Sequence, residues 1–234
     1  MKSFWKRGTH QVPLLLNARP SLAYRLVNGL LVFPIFRIVL RGRISGSQWV
    51  PRQGPIVVVA NHGSYLDPPL LGHALGRPVA FMAKAELFYV PLLGPLIRAC
   101  GAYPVYRGTG DLNAIRVASQ RLADGWATGV FLDGTRQSDG RVHQPLPGAA
   151  LLSSRYQAPL LPVAIINSHR ALGRGRCWPV PVPVHLRIGK PILPPMSCRK
   201  SDLRSITHEL MSRINALLDQ GLITYSEQRP SILP

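Results

Sequence analysis

Along most of the chain, short apolar runs alternate with stretches of helical period. The runs at 56–60 (IVVVA), 79–83 (VAFMA), 103–106 (YPVY), 130–132 (VFL), 160–166 (LLPVAII) and 184–188 (VHLRI) are nearly continuous rather than alternating. That is the pattern of strands covered on both faces, as in an α/β sheet. Between them, Asp67 and Pro68 read as an N-cap with proline in the first turn, opening a short helix to about Gly76. Asp111 opens another to about Asp124. A third helix, 202–219, carries Leu203, Ile206, Leu210, Ile214, Leu217 and Leu218 on one stripe, with Gly221 beyond its end. Residues 42–55 are rich in Gly, Ser and Pro and read as turns, and 167–183 reads as a surface loop. The expected fold is α/β: a central mixed, mostly parallel sheet flanked by helices, with an N-terminal membrane-associating helical element. Residues 1–50 form a basic lead and interfacial helical element, 51–221 one α/β domain, and 222–234 a C-terminal tail.

Charge sharpens this picture. The 234 residues hold 28 Lys and Arg against 10 Asp and Glu, a formal +18, although charged residues are only 16% of the chain and hydrophobic ones 46%. Residues 1–66 and 140–201 contain no acid at all. A greasy, basic chain suits an anionic membrane surface or an anionic ligand. Nucleic acid fits less well, because the cations are neither gathered into a run nor interleaved with aromatics. Residues 21–40 (SLAYRLVNGLLVFPIFRIVL) approach a membrane span but are interrupted by Arg25, Asn28, Pro34 and Arg37. A charge at the bilayer centre costs ~2.5–3.5 kcal/mol on insertion scales. The segment therefore reads as a helical or broken-helical element lying in the interface, its arginines reaching head groups. A buried core helix capped by arginines is the alternative. The N-terminus lacks the form of a signal peptide. Cys100, Cys177 and Cys198 are sparse and unpatterned, which favours a reducing compartment. No metal site is indicated by the histidine spacing, and no cofactor is called for.

Candidate chemistry gathers where apolar runs stop. The strand at 56–60 leads into Asn61, His62 and, five residues later, Asp67. That separation places the two side chains apart on an ideal helix or strand, so they meet only if the chain bends, and Gly63 and Ser64 supply the bend. A carboxylate accepting from one imidazole nitrogen leaves the other as a general base. In the plainer reading, Asp67 only caps the next helix. A second strand ends in Asp133, Gly134, Thr135 and Arg136, where Gly allows close backbone approach and Thr and Arg donate to phosphate oxygens. Asp133 could orient Arg136, or the segment could be an ordinary Asp-Gly turn. Arg107 and Lys84 also close strands, and each alone reads as a solvated charge more readily than as a ligand.

Together these segments resemble one family. Residues 61–67 (NHGSYLD) match the N-H-x-x-x-x-D motif of glycerolipid acyltransferases related to bacterial 1-acylglycerol-3-phosphate acyltransferase. Residues 101–107 (GAYPVYR) are similar to that family's second block, 131–136 (FLDGTR) to its third, Phe-Pro-Glu-Gly-Thr-Arg, and 161–163 (LPV) to its fourth. Order and spacing agree from about residue 50 to 190. Leu132 and Asp133 depart from the third block, and 146–149 (LPGA) lacks a basic residue usual there; both bear on substrate preference. The resemblance implies an acyltransferase domain over 51–221 that moves an acyl group from acyl carrier protein or acyl-coenzyme A to the hydroxyl of a lysophospholipid, lysophosphatidate above all. It implies His62 as general base with Asp67, a phosphate site of Arg107, Asp133, Gly134, Thr135 and Arg136, with Asn61 and Lys84 as further candidates, and membrane association on the cytoplasmic face. The alternatives are a different lysolipid acceptor or a non-catalytic basic protein that binds anionic lipid. A serine hydrolase is disfavoured by the lack of a G-x-S-x-G elbow. A dinucleotide site is disfavoured at 108–113, where Asn113 stands at the third glycine position and Asp111 would repel pyrophosphate.

Overall fold

The structure, a computed structural model, describes residues 21–105 and 112–227. Arg107, the glycines at 108 and 110, and Asp111 lie outside these residues. A helical segment, Leu22–Val39, opens as α1 (Leu22–Val27) and continues through π-helical stretches Asn28–Val32 and Ile35–Val39. After it come β1 (Arg43–Ser45), β2 (Ile56–Ala60), α2 (Asp67–Leu75), β3 (Val79–Lys84), α3 (Leu93–Ala99) and β4 (Tyr103–Val105). The second half holds α4 (Leu112–Ala123), β5 (Ala127–Phe131), α5 (Gly148–Tyr156), β6 (Leu160–Ile166), α6 (Ser168–Leu172), β7 (His185–Ile188) and α7 (Lys200–Glu227).

Among the described residues the strands form one sheet in the order β1-β7-β6-β2-β5-β3-β4, with every neighbouring pair parallel except β6 and β7. This is the mixed, mostly parallel sheet expected from the sequence. Strand β2 shows why its run is unbroken. Ile56, Val58 and Ala60 face a core shared with α2 and the N-terminal segment, through Leu70, Leu71, Val32 and Phe36. Val57 and Val59 face the opposite core, built with Ala118 of α4, Leu152 of α5, and Leu210 and Ile214 of α7. Both faces are dry, so no polar residue alternates in.

Several boundaries differ from the pattern. Strand β5 begins at Ala127, three residues before the apolar run at 130–132, because Ala127, Thr128 and Gly129 pair with β2 and β3 on both sides. Strand β1 lies inside the stretch read as turns; its Arg-Ile-Ser is too short and polar to signal a strand, and pairing with β7 at the sheet edge makes it one. Helix α6 occupies the start of the loop expected at 167–183. Helix α7 continues past Gly221, since one glycine costs only about 1 kcal/mol in a helix interior. Its expected stripe faces the core, with Leu203, Leu210, Ile214 and Leu218 buried and Ile206 and Leu217 packed beside them.

The N-terminal segment is not the buried core helix of the alternative reading. Its 18 residues have a mean hydropathy of 1.6, yet only 11% are buried. Val32 and Phe36 are its buried contacts, with Asn28 hydrogen-bonded to His73 at 3.1 Å. Leu22, Leu26, Leu30, Leu31, Phe33 and Ile38 face outward.

Candidate active site

The chain leaves β2 at Ala60 and bends at once. Asn61 anchors the bend. Its amide nitrogen donates to the carbonyls of Gly140 (2.6 Å) and Ile165 (2.9 Å), and its carbonyl accepts from the Ile165 N–H at 2.7 Å. A buried side chain thus ties β2 to β6 and to the 140 turn. Asn61 positions the loop, a role its place beside His62 did not reveal. Asn61→Ala strands the buried Ile165 N–H and carbonyl, which costs ~1–3 kcal/mol per group. We expect a loss of roughly 2–4 kcal/mol, read as a lowered Tm in a thermal melt; an unchanged melt would remove the anchoring role.

The bend brings His62 and Asp67 together. His62 Nδ1 lies 2.8 Å from Asp67 Oδ2, and the same oxygen accepts from the backbone N–H groups of Gly63 and Ser64, each at 2.8 Å. Asp67 is fully buried, while the His62 side chain keeps 14% of its surface. The Asp67 carboxylate faces back into the bend rather than capping α2, whose N-terminus has no side-chain cap. With Nδ1–H donating to the carboxylate, Nε2 is left as the acceptor. The His62 ring stacks on Phe131, centroids 3.9 Å apart and planes at 11°, so its plane is fixed from the neighbouring strand.

The turn after β5 folds over this pair. The Gly134 N–H donates to Phe131 O (3.0 Å), and the Gln137 N–H donates to His62 O (2.8 Å), which stitches the 131–137 turn to the histidine's own backbone. Gly134 sits at φ +61, where a Cβ would also press on Leu146. The Arg136 guanidinium lies 3.6 Å from the centre of the Tyr65 ring. Its Nη1 is buried and has no hydrogen-bond partner among the described residues. Asp133 does not orient Arg136; its carboxylate accepts from the backbone N–H groups of His143 (3.3 Å) and Gln144 (3.0 Å) and braces the following loop. Thr135 Oγ1 accepts from Arg174 at 3.2 Å. Lys84 closes β3 two strands from β2, half-exposed and paired with Glu86 at 3.5 Å. Arg107 lies outside the described residues.

Pattern reasoning did not find Tyr65, Phe131, Arg174 or His169. His169 walls the back of the bend: a Cβ on Gly63 would meet its Cβ, and one on Gly140 its ring. Burial pushes its pKa down, helped by Arg170 and opposed by Asp139 and Asp67. Tyr65 was visible as the one aromatic inside the 61–67 motif; Arg174 gave no signal beyond a Gly-Arg loop. A groove of about 500 Å³ is lined in part by Leu146, Lys200, Arg204 and His208, and neither His62, Asp67 nor Arg136 is among its lining residues. Among the described residues no group of three His, Cys, Asp or Glu side chains is placed to hold a metal.

A family model described as Acyltransferase matches residues 41–166. The probable 1-acyl-sn-glycerol-3-phosphate acyltransferase of Mycoplasma genitalium is 32% identical, covering 62% of this chain and 54% of its own. The lyso-ornithine lipid O-acyltransferase of Pseudomonas aeruginosa is 43% identical, covering 56% of this chain and 48% of its own. The crystal structure of the 1-acyl-sn-glycerophosphate acyltransferase of Thermotoga maritima aligns with a TM-score of 0.65 at 28% identity, covering 81% of this chain and 73% of that one. The chain spans about half the length of the curated relatives it matches.

Proposed function

The chain belongs to the acyltransferase family, and we propose from that premise that it transfers a fatty acyl group from a thioester, on acyl carrier protein or coenzyme A, to the free hydroxyl of lysophosphatidate, giving phosphatidate. The observation that carries the reading is the His62–Asp67 contact at 2.8 Å, with His62 partly open and Asp67 sealed. His62 Nε2 takes the proton of the acceptor hydroxyl as that oxygen attacks the thioester carbonyl. The tetrahedral intermediate collapses by breaking the carbon–sulfur bond, and the imidazolium returns its proton to the departing thiolate. One ester and one thiol result. Asp67 steadies the imidazolium between the two transfers, as the carboxylate does in a catalytic triad. Phe131 holds the ring plane throughout.

Arg136 supplies the acceptor's anion site. Its unpartnered Nη1 is a donor already desolvated, and charge-assisted bonds to phosphate are strong in that setting. Gly134 and Thr135 shape the same turn, with Arg174 beside it, and Arg107 completes the site as the family resemblance implies. Asp133 acts at one remove, through the loop it braces. The exposed leucines of Leu22–Val39 and the basic surface hold the enzyme on the cytoplasmic face of a membrane, where acceptor and product reside.

A second reading keeps the chemistry and changes the acceptor. The 43% identity to a lyso-ornithine lipid O-acyltransferase favours it, and an ornithine head group offers a carboxylate to the same arginine. An assay that crosses lysophosphatidate and lyso-ornithine lipid with acyl carrier protein and coenzyme A thioesters separates the two. Faster phosphatidate formation supports the first reading; acylation of the ornithine lipid alone supports the second. No ester from any pair, with vesicle binding that fades steeply as salt rises, would leave a non-catalytic lipid binder.

Tyr65 positions Arg136. A cation–π contact is worth ~0.5–2 kcal/mol, so Tyr65→Leu should raise the acceptor KM about 2- to 30-fold with kcat little changed. Tyr65→Phe and Tyr65→Trp keep a ring face and should stay near the parent value. If the leucine and phenylalanine variants behave alike, the ring face is not what holds the guanidinium.

A further inference from the structure

After β3 the chain makes a tight turn that presents apolar side chains to solvent. Tyr89 is 77% exposed and Leu92 88%, with Val90, Leu93 and Leu96 also exposed. The turn is specified rather than slack. Phe88 is buried at its base with the Arg98 guanidinium 5.2 Å from its ring centre. The Gly94 N–H donates to Val90 O at 2.9 Å, and a Cβ at Gly94 would strike the Phe88 carbonyl. Leu92 itself sits at φ +65, ψ −44, the centre of a γ-turn closed by the Leu93 N–H donating to Pro91 O at 2.7 Å, a rare and strained conformation for a leucine. A fixed turn therefore spends backbone strain to hold a leucine in water, which no contact within the described residues explains.

This turn lies beside the N-terminal segment. Ser21 Oγ donates to Ala99 O at 3.0 Å, which ties the start of α1 to the end of α3. The charge around both is one-sided. Residues 21–105 carry eight cations (Arg25, Arg37, Arg41, Arg43, Arg52, Arg77, Lys84 and Arg98) against two acids, Asp67 and Glu86, and Asp67 is buried. Exposed leucines framed by arginine, with a tyrosine at the edge, match the boundary of an anionic bilayer, where aromatics sit at head-group level and cations meet lipid phosphates.

We propose that the turn 89–96 is a second membrane-inserting element, which enters the hydrocarbon boundary of an anionic leaflet through Tyr89, Val90, Leu92 and Leu93 beside the Leu22–Val39 segment. Two separated insertions fix the orientation of the sheet above the membrane, which one helix alone leaves free to rotate. The inference concerns docking and holds whichever lysolipid is the acceptor.

The test uses the full chain with vesicles of phosphatidylcholine and phosphatidylglycerol. Leu92→Trp reports the environment of the turn, read against the same protein without that substitution, whose four tryptophans set the background. The added emission should shift to the blue on vesicle addition and be quenched by brominated acyl chains. Tyr89→Asp with Leu92→Asp should weaken partitioning to these vesicles at least tenfold while leaving the thermal melt unchanged, since both side chains are largely exposed to solvent. Emission from position 92 that stays solvent-like on bound protein overturns the proposal, as does a double variant that partitions like the parent. A blue shift that instead appears with protein concentration in the absence of lipid assigns the turn to a contact between copies and overturns it equally.

Discussion

Replacing His62 by alanine should lower kcat for acyl transfer by about a thousandfold, the middle of the range general bases supply, while vesicle binding and the thermal melt persist. The size follows from the geometry. A lipid hydroxyl is a poor nucleophile until its proton is drawn off, and Nε2 of His62 is the nitrogen left free once Nδ1 is committed to Asp67 at 2.8 Å. The imidazole contributes little to packing beyond its stack on Phe131, so its removal need not unfold the bend that Asn61 and Asp67 hold. Asp67→Asn gives an internal control. An amide at that position removes the negative charge that steadies the imidazolium, so kcat should fall with KM for both substrates near the parent values. Normal turnover by the His62→Ala enzyme would end the base assignment, whatever the state of the membrane contacts.

Arg136→Ala should raise the KM for lysophosphatidate roughly 10- to 100-fold, the equivalent of losing charge-assisted bonds worth ~1.5–3 kcal/mol, and change the KM for the thioester by less than about twofold. The asymmetry is the informative part. The guanidinium is stacked on Tyr65 with one buried nitrogen unpaired among the described residues, and in the proposed function that fork receives an anion on the acceptor rather than the acyl chain. Arg136→Lys should recover only part of the loss, since an ammonium keeps the charge without the planar fork. Equal damage to both Michaelis constants would place Arg136 in general electrostatics or in folding and remove the phosphate clamp. Steady-state kinetics with each substrate varied at saturation of the other makes the distinction.

How much of this could be read from the chain differs by residue. The strands at 56–60 and 160–166 were legible to the residue, because a strand buried on both faces writes its burial as an unbroken apolar run. Strand β5 was half legible: Gly129 and Thr128 are strand residues only because β2 and β3 flank them. The closeness of His62 and Asp67 was legible as a requirement, since five residues separate them and Gly63 and Ser64 allow the bend. The partner of Asp133 was not legible, because a carboxylate beside an arginine in sequence need not face it in space; here it turns toward the backbone of residues 143 and 144.

The sequence by itself determined the α/β class, the central strands, the basic and greasy character of the surface and the motif residues that meet at strand ends. All of these are set by local spacing and by whether a side chain prefers water. The tertiary structure alone decided that Asn61 is an anchor between β2 and β6, that Phe131 fixes the His62 ring, that Arg136 rests on Tyr65, and that Leu92 is pushed outward on a rigid turn. The first three are contacts between segments that the strand order brings together, across as many as 104 residues of chain, and the fourth is set by the backbone of one turn. Periodicity records the environment of one element at a time, so it holds no trace of which strand will be its neighbour.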